Sequence, residues 1–375
     1  MKRAATLIPI LLLLALPPAR AAAEGAPERE PGLDWLAIPL MQFNDDSGFV
    51  YGLKLELIDF QPDRSPHAWN LELKLLHSTT NRHQHRASLD IPQIAGSPWR
   101  LSARAELLHI DDANFFGLGN DTPNTNDPLF HQFRLTEPRL KIIARRSLNE
   151  YLFVSLGLLA NLTLVDATPG SALDALSPPG RDGGLGVGGL LSLGIDTRDD
   201  ELVPTEGLFL ELYARGNREA LGSDFGFLAL GLTAQLYARP LSWLVLAQRL
   251  MLERLSFAPP FYEQQRIGGT SDFIALGGVF SQRGFPEGRF AGRSKLLSNT
   301  ELRASLPPLW QHLHLGLGAF LDLSRVLDHR DIIDGLHPSV GASLFINWDN
   351  AFVFRIEQGF SNEDSLFYIE GRYLF

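Results

Sequence analysis

Phe367-Tyr368-Ile369-Glu370-Gly371-Arg372-Tyr373-Leu374-Phe375 closes the sequence, and its alternation decides how the rest is read. Phe367, Ile369, Gly371, Tyr373 and Phe375 fall on one face; Glu370 and Arg372 fall on the other. Successive side chains of a strand point to opposite sides, so one face suits an apolar solvent and the other a wet interior. The same period recurs upstream. Leu53-Lys54-Leu55-Glu56-Leu57 and Leu71-Glu72-Leu73-Lys74-Leu75 alternate cleanly. Leu228, Leu230, Leu232, Ala234 and Leu236 share a face opposite Gly231, Thr233, Gln235 and Tyr237. Leu313, Leu315, Leu317, Ala319 and Leu321 oppose His312, His314, Gly316, Gly318, Phe320 and Asp322. Charged and amide groups on the second face imply a hydrated lumen and not a dry core.

The beginning of the sequence reads as an export signal over residues 1–23. Lys2 and Arg3 precede an apolar run from Leu7 to Leu16, and Ala19-Arg20-Ala21 supplies small residues for a peptidase. The run is too short for a stable membrane-spanning helix, and no later stretch reaches that length. Hydrophobic residues make up 45% of the chain and there are no cysteines, which excludes a disulfide framework and thiolate metal sites. A formal charge of -10 argues against a nucleic-acid partner.

Residues 24–35 are charged and rich in Pro and Gly, a short periplasmic leader. Strand-like segments then follow one another over 36–375. Short turn signals at 92–98, 145–150, 239–242, 307–311 and 347–350 suit periplasmic hairpins; long ones at 111–132, 169–183, 258–295 and 325–337 suit external loops. The expected fold is all-β, a transmembrane antiparallel β-barrel of about sixteen strands, as even counts in such barrels require. Gly371, Tyr373 and Phe375 are expected on its outward face. A closing aromatic is typical of outer-membrane barrels, where it seals the last strand to the first and is read as an assembly signal.

Leu276 to Arg303, LGGVFSQRGFPEGRFAGRSKLLSNTELR, makes the resemblance specific. It resembles the sixth external loop and following strand of the BamA/TamA superfamily, barrels of the bacterial surface antigen type. In that family an Arg-Gly-Phe or Arg-Gly-Tyr tip folds back into the lumen; here the triplet is Arg283-Gly284-Phe285, preceded by Gln282 where an aliphatic residue is usual. A guanidinium is suited to bonding several wall carboxylates, and glycine permits a turn closed to other residues. Alternation sends Glu301 and Asp322 inward on the next two strands, where the family's arginine partners lie. Gly194–Gly207 and Phe116–Thr122 resemble further family segments. The resemblance covers nearly all of 36–375, and residues 24–35 leave no space for a periplasmic POTRA module, so it is to a barrel-only member.

The resemblance implies an integral outer-membrane protein acting in protein assembly or translocation, with outer-membrane lipid and unfolded client proteins as partners. A channel partly plugged by its long loop is the alternative, and an outer-membrane enzyme a third. No catalytic constellation, cofactor site or metal site is expected. His77, His83 and His85 straddle a turn without fixed ligand geometry. Asp196, Asp199, Asp200 and Glu201 lack a calcium-loop pattern and suit a charged turn. His312 and His314 read as polar lumenal wall.

Overall fold

The computed structural model describes residues 31–375 except 126, 308–312, 328–334, 349–351 and 372–373. The expected export signal, and the leader as far as residue 30, lie outside the described residues. The strands are β1 (Gly32–Asn44), β2 (Gly48–Gln61), β3 (Arg64–Ser78), β4 (His83–Ile91), β5 (Trp99–Asn114), β6 (Gln132–Ser147), β7 (Leu152–Ala167), β8 (Gly184–Asp196) and β9 (Gly207–Asn217). They continue as β10 (Phe227–Leu241), β11 (Leu244–Phe257), β12 (Arg266–Ile267), β13 (Ile274–Ala275), β14 (Ser294–Ser305), β15 (Leu313–Val326), β16 (His337–Trp348), β17 (Phe352–Phe360) and β18 (Ser365–Glu370). All except β12 and β13 form one closed antiparallel barrel; those two pair only with each other, inside the connection between β11 and β14. The barrel therefore has the even strand count that the turns imply. Its first strand starts at Gly32 and takes in the last four residues of what the composition marks as leader, because Gly32 to Trp35 already pair with Phe60 to Leu57.

The period-two pattern settles the facing of each strand. On β10, Phe227, Ala229, Thr233 and Tyr237 are buried while Leu228, Leu230 and Leu236 are exposed. On β15, Phe320 and Asp322 are buried while Leu317, Ala319 and Leu321 are exposed. A one-residue slip would reverse every one of these assignments, so the alternation specifies the register. Short hairpins gather at the rim where β1 begins. The connections at 114–132, 167–184, 257–294 and 326–337 rise from the opposite, far rim.

Neighbouring strands pair over most of their length, with one exception. β1 pairs with β2 from Gly32 to Asn44, but with β18 only at Phe43↔Ile369 and Asn44↔Tyr368. Along Gly32–Gln42 the side of β1 turned away from β2 has no barrel partner among the described residues. Pro39 sits within this stretch, as proline does on strands with one unpaired edge.

Candidate functional site

The lumen is filled by the connection between β11 and β14. Arg283 near its tip is fully buried and meets three strands at once. Its Nε and Nη2 donate to the two carboxylate oxygens of Asp322 on β15, each at 2.8 Å. Its Nη1 donates to Glu301 on β14 at 2.6 Å and to Glu357 on β17 at 2.7 Å. The guanidinium lies over Phe320, 3.4 Å from the ring centroid. Its main-chain N–H also reaches Asp322, at 3.1 Å. Such a planar fork, saturated by charge-assisted bonds, fixes position as well as charge.

The neighbours of Arg283 complete the grip. Gly284 has φ +92, and a Cβ there would stand 3.0 Å from the backbone of Phe360, so glycine is what permits the approach. The Gly284 N–H donates to the Tyr368 hydroxyl on β18 at 3.1 Å, and its carbonyl accepts from Ser361 at 2.7 Å. Phe285 is buried with Met251, Ile267, Leu276, Phe290, Leu297 and Val326. Gln282, where the family has an aliphatic residue, is fully buried; its amide donates to the His337 carbonyl and accepts from Ser324. A polar residue is satisfied there because β15 and β16 supply a hydroxyl and a carbonyl.

Sequence reasoning pairs Arg283 with Glu301 and Asp322, and the structure brings all three together. It misses Glu357, which is phased inward on β17 but lies in a segment without a motif. It misses a second anchorage as well. Arg266 bonds Glu137 on β6 at 2.9 and 2.6 Å, and Glu263 accepts from Arg215 on β9 at 2.6 Å. Lys295 joins Glu253 to this group at 2.7 Å. Thr270 bonds Glu211, and Asp272 pairs with Arg86 and Arg104. The far-rim loop closes over the connection: Gly119 donates to the Ala291 carbonyl at 2.8 Å, and Arg289 bonds Thr122 and Glu363. A lumenal cavity of about 300 Å³ remains beside β2–β7, its lining including Arg82, Arg86, Arg104, Glu106 and Asp272.

The closing residues part from the alternation. Phe367 and Ile369 face outward, and Leu366, Tyr368 and Glu370 face inward. Strand pairing stops at Glu370, Gly371 is a bend, and Tyr373 lies outside the described residues. Phe375, placed on the outward face by its parity, instead lies in the lumen, where Arg249, Arg303 and Tyr237 surround its ring. The main-chain oxygens there find donors in the same two arginines.

The other candidate clusters have plain structural roles. Asp199 accepts from the N–H groups of Thr205 and Glu206, and Asp200 from those of Leu202 and Val203, so carboxylates hold the β8–β9 turn. Asp196 pairs with Arg198 at 2.9 Å. His77, His83 and His85 lie against each other at the far rim, with Nδ1 of His77 and His83 at 2.6 Å; among the described residues no cluster fit to hold a metal occurs. His314 is exposed, and His312 lies outside the described residues.

A family model described as the Omp85 superfamily domain matches residues 68–352. Among solved structures the chain is similar to BamA from Haemophilus ducreyi lacking POTRA domains 1-3, at 14% identity and TM-score 0.61, covering 92% of this chain and 70% of that one. It is also similar to CdiB from Acinetobacter baumannii, at 13% identity and TM-score 0.53, covering 92% and 60%. For CdiB from Escherichia coli the values are 12%, 0.57, 91% and 63%. The chain thus spans less than two thirds of either CdiB. No curated protein sequence matches it. At these identities the structural likeness shows the fold.

Proposed function

The chain belongs to the Omp85 superfamily and is an integral outer-membrane barrel, and from that premise we propose that it assembles or translocates other proteins at the outer membrane without catalysis. One observation carries the reading. β1 is fully paired to β2 yet, among the described residues, holds β18 by two residue pairs. Backbone N–H and C=O groups along an unpaired edge are a template for another extended chain, which adds by β-augmentation. Lipid supplies no hydrogen bonds, so an incoming strand is the natural partner for this edge. The BamA and CdiB barrels share the fold, and the seam itself is what supports the reading in this chain.

In this reading Arg283 and its three carboxylates anchor the long loop inside the barrel. The anchorage at Arg266 and Glu263 on the other side of the lumen makes the loop a plug. The runner-up, a channel partly plugged by its long loop, is disfavoured because the loop is tied to the wall on both sides of the lumen.

Photocrosslinking in intact cells from positions 36, 38 and 40 of β1 tests the proposal. Capture of another protein in an unfolded or partly folded state supports it. No capture at β1, together with a steady ionic conductance from the purified protein in planar bilayers, overturns it in favour of a channel.

A further inference from the structure

The seam stops where the alternation would continue it. Partner numbers in the β1–β18 pairing sum to 412, as in Phe43↔Ile369. Continued in that register, Phe375 would stand opposite Ala37 and face lipid. It stands instead beside strands β10, β11 and β14. The Arg249 guanidinium lies 4.8 Å from the Phe375 ring centroid and that of Arg303 lies 5.5 Å away. The Tyr237 ring centroid is 6.1 Å from it. Arg303 donates to the main-chain oxygen of Phe375 at 3.4 Å, and Arg249 to that of Leu374 at 3.5 Å.

We propose that Tyr237, Arg249 and Arg303 form a lumenal binding site for one aromatic residue with its adjoining main-chain oxygens, occupied in this chain by Phe375. Two cations against one ring, in a site where all three side chains are buried, place the quadrupole of the ring where it is worth most. Each arginine is held independently of the guest. Arg249 donates to Asn299 at 3.0 and 2.8 Å and to the Phe280 carbonyl at 2.8 Å. Arg303 pairs with Glu301 at 2.7 Å. The site is therefore preformed by the wall together with the lumenal loop, and the same bonds lead to Arg283 through Glu301 and through Asn299 and Asp322.

The consequence concerns the seam. While Phe375 occupies the site it is withheld from β1, and Ala37 has no partner on that side of the strand among the described residues. Docking of Phe375 in the lumen and its pairing with β1 are mutually exclusive positions of one residue. The test below contains no client and reads the position of Phe375 alone, so its outcome is separate from that of the capture experiment.

A photoreactive phenylalanine analogue is placed at Tyr237 in one full-length variant and at Ala37 in another. Both are reconstituted in phosphatidylethanolamine–phosphatidylglycerol vesicles and irradiated, and the crosslinked peptides are identified by mass spectrometry. Heat-dependent gel mobility confirms that each variant is folded. Capture of Phe375 from position 237 in excess over position 37 is expected. Adding Arg249→Gln should lower that capture about fivefold. Preferential capture from position 37, or no capture of Phe375 from position 237 in a folded variant, overturns the site.

Discussion

Arg283 Nη1 lies 2.7 Å from Glu357 Oε1, which ties the lumenal loop to the strand next to β18. The lock therefore spans β14, β15 and β17. Glu357 also accepts from Ser343 at 2.9 Å and lies 3.2 Å from Arg355. Three guanidiniums (Arg283, Arg303 and Arg355) thus face three carboxylates (Glu301, Asp322 and Glu357), all buried. Desolvated charges in this arrangement cost little while matched and a great deal once one is removed.

Arg283→Ala should accordingly destabilise the barrel by about 3–5 kcal/mol, because it strands buried carboxylates without their shared cation. Arg283→Lys restores one charge but not the fork, so only part of the loss should return. Glu357→Gln should cost about 1–3 kcal/mol. Urea unfolding of the protein in lipid vesicles checks the order, and proteolysis within residues 276–293 should accelerate in parallel. A Glu357→Gln protein indistinguishable from wild type would remove β17 from the lock.

Gly284 is the second element of the lock. With φ +92, and with Phe360 backbone atoms 3.0 Å from where a Cβ would stand, Gly284→Ala meets both conformational and steric resistance. The expected cost is about 1–3 kcal/mol, with the loop tip displaced from β17. Gly278 also has positive φ, +82, but the atoms a Cβ would meet first belong to Glu287 of the loop itself. Gly278→Ala should therefore leave the Arg283 contacts in place. Crystal structures of the two variants, compared at the Arg283–Asp322 distance, distinguish them.

How much of this was legible in the sequence depended on whether a signal was local. Strand facing was, because a lipid-facing side and a lumenal side impose period two on each strand by itself. Glu301 and Asp322 could be phased to the lumen for the same reason. Glu357 and Arg266 could not be singled out, since inward charged residues are common in such a barrel and their meeting depends on how the loop crosses it. The course of Phe375 was hidden for a different reason. Its parity matches the lipid face, and only the three-dimensional convergence of Tyr237, Arg249 and Arg303 offers the ring an alternative.

The facing of β10 carries a prediction of its own. Leu232 points to lipid near the middle of the strand, while Gln235 points inward and accepts from Tyr237 at 3.3 Å. Leu232→Lys should cost about 2–4 kcal/mol, whereas Gln235→Lys should cost far less. Refolding yield into vesicles, read by heat-dependent gel mobility, reports the contrast. A lower yield for Gln235→Lys than for Leu232→Lys would mean that the strand is turned the other way, and equal yields would remove the assigned facing.

The last prediction is a pH dependence at the far rim. Asp46, in the β1–β2 turn, accepts from the Glu287 N–H at 2.9 Å and so touches the loop just beyond its tip. Burial, and secondarily the neighbouring Glu287 carboxylate, push the Asp46 carboxyl up from 3.8 to about 7. Arg82 offsets part of this, lying 2.5 Å from Glu287. A raised acid binds its proton more tightly in the folded state. Between the two values the unfolded chain has lost the proton and the folded one retains it, so stability falls as pH rises. The contribution is complete below the unfolded value and is lost as pH climbs through about 7. Proteolysis within 276–293 should thus be slower at about pH 5.5 than at about pH 8.5. Asp46→Asn keeps the acceptor oxygen but cannot ionise, and should flatten the profile at the slow rate. The same variant separates this carboxylate from the His337 imidazole, which stacks on Phe290 of the loop at 4.4 Å and is left intact by the substitution. A profile unchanged by Asp46→Asn would assign the dependence elsewhere.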